Sequence, residues 1–408
     1  MNFEGLVEKR KKVYTILLSL LIAGLPLGFT FSTIMLYFLI FIFLLDSKTN
    51  LQNKLKAIAK SHVILFYALM YLVQFVSILY SNDKTESWVK IILWIPFLFL
   101  PAIILSEGKS HNIRELYRYL KIGITLVLTL SFLSYCCSAD YDGFQRYTQI
   151  WLVDKMGISQ FYIIFLAILP LFLAIKDLEK DSIITNLFVI VISLFFIVFA
   201  NNFSGLIMTM VVITPLIKTK TKLFPPKYGY ALVMFLISII VVTVAVNDKL
   251  KTKLISIDRT SFNFSELATM NKYAYTRNTI EHRIYTHYLI LKDIKSTMPF
   301  GVGVGDTQHY LNELYLENKF LSGIKLKLNP HDQYMQEYLK TGIIGPIVFI
   351  LLLFLILRIT YRRKSIFFYY VIGFAVLCFA ESYLNRFHGV IIFTGILPIL
   401  LLEEKQKI

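Results

Sequence analysis

The sequence predicts an all-α integral membrane protein of about twelve transmembrane helices with one large outer loop, and three observations carry that prediction. Hydrophobic residues make up 56% of the chain against 17% charged, and the mean hydropathy is +0.64, more apolar surface than a soluble domain of 408 residues buries. Apolar runs recur from end to end, each near the ~20 residues that a bilayer-crossing helix needs. Basic residues occupy every second gap between those runs, as the positive-inside rule requires. The net charge of +16 could point to nucleic acid, but the cations sit in short gaps between apolar runs, so their placement argues topology and no nucleic-acid partner is expected.

In chain order, apolar helices are expected at 12–29, 31–46, 62–80, 88–105, 119–137, 158–176, 184–200, 203–217, 227–246, 342–358, 366–384 and 388–402. Helices are required because lipid offers the backbone no hydrogen-bond partners. The basic run Lys9 to Lys12 before the first helix imitates a signal peptide. A second apolar run follows Pro26-Leu27-Gly28 closely and no small-x-small cleavage site is evident, so a retained first helix is expected. Lys9 to Lys12, then Lys48, Lys54, Lys56 and Lys60, then Lys109, Arg114 and Arg118, then Lys176 and Lys180, then Lys218 to Lys227, then Arg358 to Lys364 mark alternate gaps. Both termini and these gaps are therefore assigned to the cytoplasm, which leaves 138–157, the turn at 201–203 and 247–341 outside. The chain divides into 1–246 with nine helices, the loop 247–341, and 342–408 with three helices and a cytoplasmic tail. Within the loop, Lys251 to Ile257 and Leu311 to Leu321 have the spacing of short amphipathic helices. Cys136, Cys137 and Cys378 lie in or beside apolar runs and read as membrane-buried thiols.

The outer loop also holds the residues with chemistry. Asn329-Pro330-His331-Asp332-Gln333-Tyr334 is followed by Gly342-Ile343-Ile344-Gly345, which opens an apolar run. Asn329 reads as a helix N-cap and Pro330 as the first helical residue, where its missing N–H costs nothing. His331 then falls in the first turn, where the helix's positive end disfavours imidazolium and welcomes an anion. A neutral histidine beside a phosphate is a reasonable base; a surface histidine capping a loop helix is the alternative. Earlier in the loop come Arg277, His282, Arg283 and His287, and Arg283 and His287, four apart, share one helix face. Arg146 lies among aromatics in the 138–157 loop, and Arg386 and His388 lie in the last outer turn.

Arginine suits phosphate because its planar fork donates in pairs. The alternatives are snorkelling toward headgroups for Arg146 and Arg386, and a loop-holding ion pair with Glu281 or Asp306 for Arg283. Gly301-Val302-Gly303-Val304-Gly305-Asp306 lacks the G-x-G-x-x-G spacing of a nucleotide loop, so a tight turn with close backbone approach is expected. No carboxylate pair at helix spacing, no His-x-x-x-His and no metal-ligand cluster stands out on the outer side, and neither metal nor cofactor is expected.

With Arg283, Pro299-Phe300-Gly301-Val302-Gly303, the Asn329-to-Tyr334 motif with Gly342 and Gly345, and Glu381-Ser382-Tyr383-Leu384-Asn385-Arg386-Phe387-His388-Gly389, the last 130 or so residues resemble the O-antigen ligase and polymerase superfamily of bacterial membrane glycosyltransferases. The first half matches that superfamily mainly in topology. The resemblance implies a C-type glycosyltransferase-like fold in the inner membrane, with a large periplasmic loop carrying the site. It implies transfer of a glycan from an undecaprenyl-diphosphate carrier to an acceptor hydroxyl, such as that of lipid A-core, without metal or nucleotide.

His331 matches the family's essential loop histidine, the base or acceptor-orienting group, and Arg283 matches the arginine that holds the diphosphate. Members often carry Ser-Arg-Gly where this chain has Asn201-Asn202-Phe203-Ser204-Gly205, so Arg146 or Arg277 would have to supply that cation. His282, Asn329, Asp332 and Arg386 are candidate supporting residues. O-antigen polymerase and protein O-oligosaccharyltransferase share this chemistry. A lipid or polysaccharide transporter is the alternative of another class, and it would place polar groups along a path through the bundle.

Overall fold

The computed structural model of the chain describes residues 3–107, 112–138, 147–178, 181–199, 202–220 and 279–405, and among them the secondary structure is helical with no strand. Of the twelve apolar segments, 227–246 lies outside the described residues, as does Lys251 to Ile257, and the other eleven fall on helices. Four helical stretches are long and apolar enough to cross a membrane: His62–Leu79, Lys84–Ser106, Ile113–Cys136 and Ile344–Arg362. Phe29–Leu44 with Lys48–Lys60 counts as a fifth only if that pair, bent by 114°, is one span. The bend has a local cause. Ser47 caps a new helix by accepting from the Asn50 N–H at 3.3 Å, and that helix is lysine-rich, so the second basic gap is itself helical.

The remaining apolar helices do not meet that test of length and hydropathy, and three of them carry a local irregularity. Gln160–Lys176 and Phe203–Lys220 contain Pro170 and Pro215, and Phe387–Leu402 is interrupted by a π turn at Ile392–Ile396. The helix expected over 366–384 ends at Leu377, and Cys378 to Asn385 form a turn instead. Every residue of Gln160–Lys176 from Tyr162 to Ile175 is buried, so this run, apolar on all sides, is a central pillar packed against Ile113–Cys136, Ile183–Phe199 and Phe203–Lys220. Peripheral helices do the opposite: Tyr37, Phe38 and Phe41, and likewise Ile347, Ile350 and Phe354, are exposed, a surface that hydrocarbon tolerates and water does not.

Residues 279–341 form a helical cap with a small core of its own, in which Tyr285, Leu289, Leu311, Tyr315 and Phe320 pack together. The helix expected from Leu311 to Leu321 runs instead over Thr307–Glu317, and a separate turn follows at Leu321–Lys325. The glycine run docks this cap on the end of the His62–Leu79 stretch. Val304 and Gly305 donate their N–H groups to Ser77 Oγ at 3.2 Å and Ser81 Oγ at 3.1 Å, and Asp306 accepts from the backbone N–H of Asn82 and of Asp83. A Cβ on Gly303 would lie 2.7 Å from that of Ser81, so the close approach expected of the run is an approach to another helix end.

Candidate active site

Side-chain hydrogen bonds fix the chain around His331. Asn329 Oδ1 accepts the His331 N–H at 2.8 Å in an Asx turn, and His331 takes a left-handed conformation with φ 48°. Asp332 is extended and its Oδ1 accepts the Met335 N–H at 2.9 Å, so Asp332 is the N-cap of Gln333–Thr341. The expected frame, with Asn329 as cap and His331 in the first turn, is therefore displaced by three residues. Both side chains compete for nearby N–H groups, and Asn329 is taken up by its own turn. The electrostatic premise moves with it, because the nearest charge to the imidazole is a carboxylate.

That carboxylate belongs to Glu381. His331 Nδ1 lies 3.2 and 3.1 Å from its two oxygens, and Arg283 Nη2 lies 3.7 Å from Oε2. Glu381 is 8% exposed, and its Oε1 also accepts the Ser382 N–H at 3.2 Å. In the neutral imidazole, an Nδ1–H that donates to Glu381 leaves the lone pair on Nε2. Nε2 has no hydrogen-bond partner among the described residues, and the His331 side chain is 26% exposed. A histidine oriented at one nitrogen by a carboxylate and open at the other is the geometry of a general base.

The helix Thr279–Lys292 grips both loops from one face, as the four-residue spacing predicts. Arg283 Nη1 donates to the Ala380 carbonyl, and His287 Nε2 donates to the Pro330 carbonyl at 2.7 Å. Burial lowers the Arg283 guanidinium from its ordinary value, opposed by Glu381, and burial raises the Asp332 carboxyl, opposed by the Met335 N–H and by His287. Arg283 does hold a loop through a carboxylate, but the partner is Glu381 rather than Glu281 or Asp306.

Below the dyad, buried Gln333 joins the two loops. Its N–H donates to the Cys378 carbonyl and its Oε1 accepts the Leu384 N–H, both at 2.7 Å, while Ser382 Oγ donates to the Asp332 carbonyl at 3.3 Å. Glu337, wholly buried, accepts from the side chains of Gln333 and Gln74 and pairs with Lys340 at 3.4 Å. Burial raises the Glu337 carboxyl and lowers the Lys340 ammonium, each partner opposing the other's shift.

Of the other candidates, His282 packs edge-on against Phe320 at 5.7 Å rather than facing His331. Arg386 is exposed at the start of Phe387–Leu402, and His388 is buried 5.8 Å from the Tyr162 ring. Arg146 and Arg277 lie outside the described residues, so the cation assigned to either in place of the family arginine does too; Asn202 caps the next helix, accepting from the Gly205 N–H at 3.2 Å. Cys378 is buried, but Cys136 is only half-buried and Cys137 is exposed. Among the described residues no three His, Cys, Asp or Glu side chains converge in a way that could hold a metal.

Sequence reasoning named Glu381 and Gln333 only as parts of motifs, with no role at the site, and passed over Glu337. The available signal was that Glu381 is the one acid between Glu337 and Glu403, and a lone ionisable group in an apolar segment marks a site by default. No protein-family model matches the chain, and no curated protein sequence does.

Proposed function

We propose that the chain is a membrane glycosyltransferase that moves a glycan from an undecaprenyl-diphosphate carrier to an acceptor hydroxyl, with an O-antigen ligase-like reaction onto lipid A-core as the leading form. The reading includes about twelve spans, a large periplasmic loop over residues 247–341 and an inner-membrane location with cytoplasmic termini; the charge alternation supports it. The observation that carries the proposal is the convergence of His331, Glu381 and Arg283 at 3.1 and 3.7 Å.

The acceptor oxygen attacks the anomeric carbon, its proton passes to His331 Nε2, and the bond from that carbon to the phosphate oxygen breaks. Glu381 holds the Nδ1–H and stabilises the imidazolium that forms. Arg283 gives one nitrogen to Ala380 and faces Glu381 with the other, and its remaining N–H donors suit the charge that develops on the departing diphosphate.

Purified protein with a lipid-diphosphate oligosaccharide donor and a hydroxyl acceptor tests this. His331→Ala should lower turnover by about 10²–10⁴-fold while donor binding and melting temperature stay near wild type. A folded, donor-saturated variant that keeps most of its transfer rate would remove His331 from the chemistry. Wild-type protein that transfers no glycan from such donors to lipid A-core, to a repeat unit or to a protein hydroxyl would remove the function.

A further inference from the structure

The strongest feature outside the candidate site is a cleft at the other end of the molecule. It encloses about 350 Å³ between the start of His62–Val76 and the end of Ile344–Arg362. Its lining combines His62, Arg358, Arg362 and Arg363 with apolar Leu105, Leu355 and Leu401. By helix rise, the eighteen steps from Ile344 to Arg362 separate the cleft from the cap by about 27 Å. It is therefore distinct from the His331 site.

We infer that this cleft binds the phosphate headgroup of an anionic phospholipid. The arginines form no ion pair with a carboxylate among the described residues, although Glu107 follows the cleft residue Leu105 by two positions and Asp46 shares Lys54 and Arg10 with it. Those acids are already engaged: Asp46 pairs with Arg10 at 2.6 Å, and Glu107 pairs with Lys54 and with Arg10. Three guanidinium groups without an acid are an unmatched positive field, and Arg358 and Arg362, four apart on one helix face, can both donate to one phosphate. The positive end of the His62–Val76 helix adds to that field.

Two features choose a lipid over a soluble anion. Ile347, Leu351, Phe354, Arg358 and Arg362 follow i, i+4, i+7, i+11 and i+15 spacing, so the exposed apolar stripe of this helix runs directly into the arginines. An acyl chain lying on the stripe delivers its headgroup to the cleft. Exposed Tyr361 stands at the same level, where aromatic side chains mark the boundary of a bilayer.

The test uses the full chain purified in a neutral detergent, titrated with phosphatidylglycerol and separately with phosphatidylcholine, with lipid retention read by native mass spectrometry. Phosphatidylglycerol should be retained and phosphatidylcholine lost under the same activation. The double variant Arg358→Gln/Arg362→Gln should weaken phosphatidylglycerol retention about tenfold, the scale of losing charge-assisted bonds to one phosphate. Lys292→Gln, at the far end, should leave it unchanged. Equal retention of the two lipids, or unaltered binding by the folded double variant, overturns the proposal. If the double variant fails to fold, competition on the wild-type protein decides: displacement of phosphatidylglycerol by millimolar inorganic phosphate means a soluble-anion site and overturns it, and persistence supports it.

Discussion

Glu381 has little contact with water and must be compensated within the protein, and it is, by a guanidinium, an imidazole N–H and a backbone N–H. Removing the carboxylate and removing only its charge should therefore differ. Glu381→Ala leaves Arg283, whose side chain is 27% exposed, without its carboxylate and should lower the melting temperature, by less than the ~3–5 kcal/mol that breaking a fully buried pair costs. Glu381→Gln keeps the shape but sets an amide NH2 among groups that donate and no longer enforces the Nδ1–H tautomer or balances Arg283, so turnover should fall by about 10²–10⁴-fold and the melting temperature should fall less than in Glu381→Ala. If Glu381→Gln transferred glycan at the wild-type rate, the dyad would be only a structural brace. His331 and Arg283 were legible because a Pro-His motif and a helix spacing are local patterns. Glu381 was not, because its meeting with His331 spans fifty positions and depends on the turn that ends Phe367–Leu377 early.

The helix Gln333–Thr341 shows how one short element carries a site. Its N-cap, Asp332, sets the direction of the loop that presents His331, and Gln333 ties that loop to the Glu381 turn. At its other end Gly342 has φ 64° and ψ −149°, a region open essentially to glycine alone, and a Cβ there would lie 1.7 Å from the Pro299 carbonyl oxygen. The cap also has a pH signature. Burial raises the Asp332 carboxyl, so the folded state prefers it protonated. That contribution to stability is fully present below the ordinary carboxylate range and is lost as pH rises through the raised folded value. Asparagine caps a helix about as well and cannot ionise. The difference in melting temperature between Asp332→Asn and wild type should therefore be near zero at about pH 3 and positive at about pH 8. A variant that matches wild type in acid and melts lower at neutral pH would mean that ionised Asp332 stabilises the fold. The sequence pattern foresaw a helix here but assigned its cap to Asn329, since two good capping residues stand three apart and only the backbone decides between them.

Across the whole molecule the chemistry separates into two ends. The end of His62–Leu79 meets the cap through Ser77 and Ser81, while its beginning meets Arg358 and Arg362, so the two antiparallel helices bring the basic gaps together and keep the His331 site apart from them. Charge alternation was legible because each gap is local. Which helices lie at the centre was not, because Gln160–Lys176 is apolar on every side and its sequence carries no directional face. The segregation makes a definite topological prediction: the basic end is cytoplasmic and the cap is periplasmic. In a variant lacking Cys136, Cys137 and Cys378, single cysteines at two exposed positions test it, Lys56→Cys at the basic end and Glu317→Cys on the cap. A membrane-impermeant thiol reagent given to cells with a permeabilised outer membrane should label Glu317→Cys at once and Lys56→Cys only after the inner membrane is broken. Labelling in the opposite order would invert the chain, put the His331 site in the cytoplasm and remove the periplasmic glycan donor from its reach.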